Sequence, residues 1–206
     1  MAPVCFVEGT RILTVPGEVA VEHLREGDEA VLFGGQAAPI KWIGWRTVPA
    51  RLLAQEPANA PTRIVAGAFG PGRPHRDLLI SGDHAVAAHG VLIPARLLIN
   101  DLSIVLDETP RDITYYHVEL HAHGLLQSEG LATESFLEAD ANRSFFANGP
   151  QPTDARPNLS TVAYEARSCL PRVYAGPVVD EVRRLLLGRA AQLGALAPPL
   201  GARTAA

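Results

Sequence analysis

A cysteine stands at position 5 of this 206-residue chain, in the stretch MAPVCFVEGTRILT, directly ahead of a strand-like run. The chain has one other cysteine, Cys169. A thiolate beside its own N-terminal peptide bond can attack the carbonyl carbon of the preceding residue, here Val4. The Val4–Cys5 peptide C–N bond then breaks, a thioester joins Val4 to the Cys5 sulfur, and Cys5 is left with a free amine. Amide to thioester is uphill. A protein drives it by straining the peptide, protonating the departing nitrogen and placing donors at the developing oxyanion. Histidine is the natural proton donor because its ordinary pKa lies near neutrality. The stretch LLISGDH offers Ser81 and His84 three positions apart, where a tight turn can aim both at one point. On the residues alone two readings stand. Cys5 is a nucleophile served by Ser81 and His84, or it is a packed thiol and SGDH is an ordinary turn. Asp83 reads as a solvated turn residue.

The elements that must position these groups read mostly as short strands. TRILTV alternates, PGE is a turn, VAVEHL is a strand or a short helical turn, and Gly34-Gly35 closes a hairpin into APIKWIGWRTV. Trp42 and Trp45 are expected in the core or at a sheet edge. Residues 49–62 are rich in Pro and Ala and read as a loop. DLLI suits a buried strand, AHG a hairpin into VLIPARLLI, and SIVLDE and ITYYHVELHAHGLLQSEGLATESFL read as further strands. Many short strands between Gly/Pro turns predict an all-β domain. After about residue 139 the pattern changes. NRSFFANGPQPTDARPNLS reads as loop, with Asn148-Gly149 a turn. In PVVDEVRRLLLGRAAQLGAL, Val179, Val182, Leu186 and Ala190 recur at helical spacing behind Pro177. The last residues, APPLGARTAA, read as a disordered tail. The expected organisation is a β domain over 1–140 and a C-terminal loop, helix and tail over 141–206.

Bulk numbers narrow the function. Hydrophobic residues make up 47% and charged residues 19%, so a packed core is available. The net charge of −4 and the pI near 6.0 give no electrostatic case for nucleic acid or an anionic membrane. No apolar run approaches the ~20 residues that span a bilayer, and no secretory signal opens the chain. A cytoplasmic protein, or one exported by another route, is expected. No CxxC pair exists to build a cysteine-rich zinc site. His121 and His123 would point the same way on a strand, but dispersed, solvated histidines are the preferred reading. No metal and no cofactor are expected. Cys169, in RSCLPR, reads as structural or inert.

The opening CFVEGTRILTVPGEVAVEHLREGDEAV resembles that of Hint domains, the fold shared by inteins and the autoprocessing domain of Hedgehog proteins. Cys5, Gly9, Thr10, Gly17, Val21, Glu22, Leu24, Gly27 and Asp28 fit the pattern in order. SGDHAV is similar to the family's Thr-x-x-His motif, with Ser81 in place of Thr. RDLLISGDH, VLIPARLLIN and YYHVEL resemble a bacterial subgroup. The resemblance spans about residues 4–138. It implies an all-β, Hint-type pseudo-twofold fold followed by a C-terminal loop and helix. It also implies an N-to-S acyl shift at Val4–Cys5, with Cys5 as nucleophile, His84 as proton donor to the departing nitrogen, and Ser81 assisting the carbonyl or orienting His84. His117, in YYHVEL, falls where inteins often carry an Asp that assists the cysteine; it is a candidate beside the reading of a core histidine.

One departure from the family pattern shapes the expected outcome. Inteins usually end in His-Asn, whereas the matching stretch here reads LATES, with Thr133, Glu134 and Ser135. Cleavage with release of the thioester by water or an outside nucleophile is therefore expected, rather than full splicing. The substrate is the chain's own N-terminal segment. Only Met1–Val4 precede Cys5, so the chain is a fragment of a longer protein, or the activity is vestigial, or the scaffold serves something else. Three functions follow: an autoprocessing cysteine domain, a silent Hint scaffold that binds an unknown protein partner, or a Cys–His hydrolase acting in trans.

Overall fold

The computed structural model describes residues 4–137, 142–149 and 166–196. The leader residues 1–3, the expected 140/141 boundary and the tail from 197 lie outside the described residues. Thirteen strands join in one antiparallel network: β1 (Phe6–Val7), β2 (Arg11–Thr14), β3 (Gly17–Ala20), β4 (Glu29–Val31), β5 (Ala37–Val48), β6 (Thr62–Ile64), β7 (Leu78–Ile80), β8 (Ala85–Ala88), β9 (Val91–Pro94), β10 (Ile104–Leu106), β11 (Ile113–Leu120), β12 (Leu125–Ser128) and β13 (Leu131–Glu134). Their order is β10-β6-β7-β1-β11-β5-β4-β2-β12-β13-β8-β9, with β3 paired to β2. The long strand β5 links two halves. Its first residues pair with β4 and the rest with β11. The expected hairpin at Gly34-Gly35 forms, and both glycines take positive φ, 121° and 90°, which an L side chain resists.

β1 is only two residues long, yet it fixes the site. It lies between β7 and β11, with Phe6 opposite Ile80 on one side and opposite Tyr116 on the other. Strand alternation then splits its side chains between two clusters. Phe6 enters the main core with Ile80, Val118 and Ile93, while Cys5 and Val7 enter a second cluster with Trp42, Tyr115, Phe136 and Phe146.

Three readings need correction. Residues 49–62 are not all loop: Ala50–Gln55 form α1, a six-residue helix, followed by a 3-10 turn at Pro57–Asn59. Pro49 precedes the first helical residue, and Ala, Leu and Gln are good helix formers, which outweighs the proline density around them. VLIPARLLI is a strand only as far as Pro94 and then turns into a 3-10 helix over Ala95–Leu98. The strand expected to run through His121 and His123 ends at Leu120, so these two residues sit in the connection to β12 and do not share a strand face.

The C-terminal helix, α2, spans Pro177–Leu196, as the periodicity predicts. Val179, Val182, Leu186 and Ala190 are all buried, and the first three join the main core. Burying each large apolar side chain contributes about 1.5–3 kcal/mol, so α2 is docked on the β body through this stripe. No helix among the described residues is long and apolar enough to cross a membrane.

Candidate active site

The SGDH stretch is a closed turn. His84 N donates to Ser81 O at 3.0 Å, and Arg96 closes it from outside, its N donating to Gly82 O and its Nε to Asp83 Oδ1. Asp83 is thus ion-paired rather than simply solvated. The turn lies directly against Cys5. Cys5 N donates to Ser81 Oγ at 2.8 Å, and Ser81 N donates to Cys5 O at 2.9 Å. The hydroxyl on the nitrogen of the Val4–Cys5 peptide therefore belongs to Ser81.

His84 is fully buried, with its ring 4.3 Å from that of Phe6 between centroids. Its Nε2 meets the carbonyl oxygen of Glu134 at 3.0 Å, and it also lies against the Cys5 backbone. The hydrogen bond from the Cys5 nitrogen goes to Ser81, with the His84 ring alongside. Burial depresses the His84 pKa to about 4, against the pull of Glu134 and the Cys5 and Glu134 backbone, so the ring rests neutral.

His117 comes to the same place from β11. The β1–β11 register pairs Val7 with Tyr115 and Phe6 with Tyr116. One further step sets Cys5 opposite His117, and paired residues of antiparallel strands project from the same face. The His117 ring sits 4.3 Å from Phe136, 5.4 Å from Phe146 and 6.2 Å from His84 between centroids. It is 1% exposed, and neither ring nitrogen has a hydrogen-bond partner among the described residues. Desolvation, helped by His84 and His123, holds its pKa well below the ordinary value.

The Cys5 thiol is itself fully buried. Burial pushes its pKa well up, with the Arg46 guanidinium pulling the other way. At rest the site therefore holds a neutral thiol and two neutral imidazoles in a buried aromatic chamber. Part of that chamber comes from Phe146, in the segment read as loop. Ala147 N donates to Trp45 O, and Asn148 Nδ2 donates to Ile43 O, stitching this segment onto β5.

Sequence reasoning missed one charged group here. Glu134, noted only because no asparagine stands in LATES, is a buried carboxylate that accepts from Ala85 N at 2.8 Å and from Arg172. His123 is likewise no solvated histidine: its side chain is fully covered, Cys169 N donates to its Nδ1 at 3.0 Å, and its Nε2 faces Glu134 at 3.7 Å. Such pairs, tens of residues apart in the chain, leave no local pattern. The group best suited to a cation is elsewhere, where ligand atoms of Glu18, His75 and Glu129 lie within 4.8 Å of one another. Arg76 bonds both carboxylates and already supplies positive charge there.

The family model described as Hint domain matches residues 4–140. The chain belongs to the Hint-domain family. Solved Hint structures similar to it include the MchDnaB-1 intein, at 12% identity and TM-score 0.43 over 64% of this chain and 99% of that one. The bacterial intein-like domain from Clostridium thermocellum is 14% identical, with TM-score 0.39 over 66% and 99%. The gp41-1 intein is 10% identical, with TM-score 0.42 over 63% and 97%. No curated protein sequence matches the chain. In this Hint domain the matched stretch begins at Val4, the residue before Cys5. It ends before Phe146 and Arg172, which both contribute to the site's surroundings.

Proposed function

We propose that this Hint domain is an autoprocessing domain that cleaves its own chain at Val4–Cys5. The observation that carries the reading is the setting of Cys5, fully buried with its amide nitrogen on the Ser81 hydroxyl. The Cys5 sulfur attacks the Val4 carbonyl carbon, an S–C bond forms, and the C–N bond breaks. Net, one proton moves from sulfur to nitrogen. His117, neutral at rest, takes it from the thiol and hands it to His84, whose ring lies 6.2 Å away between centroids. His84, charged only at that stage, relays it through the Ser81 hydroxyl to the departing nitrogen, so all three side chains end as they began. The thioester is then released by water or an added nucleophile, without splicing.

The buried thiol argues against a hydrolase acting in trans, because a foreign peptide would have to displace the residues that cover it. The open cleft beside β1, about 360 Å³, is lined by Val7–Thr10 and Arg111–Thr114 but not by Cys5. A silent Hint scaffold that binds a partner is the second reading. It is favoured by the same burial, which keeps the thiol protonated.

A fused-leader assay separates the two. A well-folded reporter is joined ahead of Val4, and intact mass is followed with and without thiol or hydroxylamine. Autoprocessing predicts leader release that is accelerated by either nucleophile and absent in Cys5→Ala. An intact fusion in a properly folded wild type would rule it out in favour of the scaffold.

A further inference from the structure

Arg172 lies outside the stretch matched to the Hint domain, yet it reaches the surroundings of His84. Its backbone joins the free edge of β9: Leu92 pairs with Arg172 in parallel, Leu92 N donates to Pro171 O at 2.8 Å, and Val173 N donates to Leu92 O at 2.9 Å. Its side chain is 8% exposed. Nη1 donates to both carboxylate oxygens of Glu134, at 2.7 and 2.8 Å, and Nη2 donates to the backbone carbonyl of Asp83.

Both partners flank His84. Asp83 is the residue before it. Glu134 holds the residue after it, through the Ala85 amide, and its own carbonyl oxygen meets His84 Nε2. One guanidinium thus ties the turn that carries the imidazole to the strand that orients it. Just beyond it, α2 is anchored in the core by Val179, Val182 and Leu186, which holds the Arg172 strap in place. A buried carboxylate such as Glu134 is tolerated only when paired. Glu134 draws a proton toward His84 and Arg172 opposes it, so the pair also balances the charge felt by the ring.

We propose that Arg172 is a positioning residue for His84, acting through Glu134 and Asp83, and that residues 171–173 are a working part of the site. The catalytic consequence rests on the autoprocessing reading; the positioning does not. The full chain, labelled at histidine, is compared by NMR as wild type, Arg172→Lys and Arg172→Met. The imidazole ¹⁵N shifts of His84 report its tautomer and hydrogen bonding. They are expected to move in Arg172→Met and to return toward wild type in Arg172→Lys, which keeps the charge. A purely structural anchor would lower the melting temperature and leave these shifts in place.

Should Arg172→Met fail to fold, Glu134→Gln/Arg172→Met removes both charges and keeps an acceptor for Ala85 N; the same displacement is expected there. Unchanged His84 shifts in the folded variant overturn the proposal. In the fused-leader assay Arg172→Met is expected to slow release on the order of 10-fold or more. A wild type that cleaves nothing defeats the autoprocessing reading alone, since the shifts still decide the role of Arg172.

Discussion

Cys5 and Ser81 hold each other twice, through Cys5 N to Ser81 Oγ at 2.8 Å and Ser81 N to Cys5 O at 2.9 Å. The second bond is a backbone pairing that any residue at 81 could make. The first needs a hydroxyl. Ser81→Ala leaves a buried amide N–H without its acceptor, which costs about 1–3 kcal/mol. In the autoprocessing reading it also removes the hydroxyl that contacts the departing nitrogen. Ser81→Thr keeps the oxygen and is expected to retain most of the stability and activity. Denaturant unfolding and leader release, measured on both variants, check this. Equal behaviour of Ala and Thr would show that the hydroxyl does nothing.

His117 predicts a trade of stability against function. A buried imidazole with no partner for either nitrogen among the described residues is a poor core residue. Replacing it with an apolar side chain of similar size removes an unsatisfied group at little loss of packing. His117→Leu is therefore expected to raise the unfolding free energy from urea titration by about 1–2 kcal/mol, and to slow leader release on the order of 100-fold if His117 accepts the thiol proton. A destabilised His117→Leu that still cleaves at the wild-type rate would assign His117 to the core alone.

The depressed histidines set a direction for the pH dependence of folding. His84 titrates near 4 in the folded chain against an ordinary 6.5, and His117 is displaced the same way. Between those values the unfolded chain binds more protons, so stability rises with pH across the window. The contribution is complete above about pH 6.5 and is lost as pH falls toward 4. For His84 the displacement corresponds to about 3 kcal/mol. Urea unfolding at pH 7 and pH 5 should show the loss in the wild type, and His84→Gln should reduce it to the part that His117 supplies. A wild-type midpoint that does not move between those two pH values would contradict the buried, neutral state of both rings.

Local patterns carried much of this fold into view. The 3.6-residue recurrence of Val179, Val182, Leu186 and Ala190 marks α2, because one apolar stripe must meet the core. The SGDH turn and the early cysteine mark the site through side-chain chemistry alone. What stayed hidden depends on contacts between residues remote in sequence. Glu134 meets Arg172 and His123 across separate segments, and no spacing rule joins them. Phe146 lies in a polar, proline-bordered stretch, and its burial follows from where residues 142–149 cross β5. Which of Ser81 and His84 bonds the Cys5 nitrogen likewise needed coordinates. A Ser-x-x-His spacing does not say which member faces the amide nitrogen.

Gly44 tests whether the chamber's closure matters. It pairs with His117 across β5 and β11, and its missing side chain leaves the space that Trp42 and Phe146 fill. A Cβ at position 44 would run into the Trp42 ring and lie 2.8 Å from Phe146 Cγ, so one of the two rings must withdraw. Water then gains entry beside Cys5 and His117. Overpacking of this kind costs about 1–3 kcal/mol. In Gly44→Ala, Cys5 is expected to react faster with a soluble thiol-modifying reagent, because lower burial brings its pKa down toward the ordinary range. Leader release without added nucleophile should speed up, since water reaches the thioester directly. Labelling rates on the leaderless chain and product masses on the fusion read the two effects separately. Unaltered labelling in a folded Gly44→Ala would mean that Trp42 and Phe146 are not what seals the thiol.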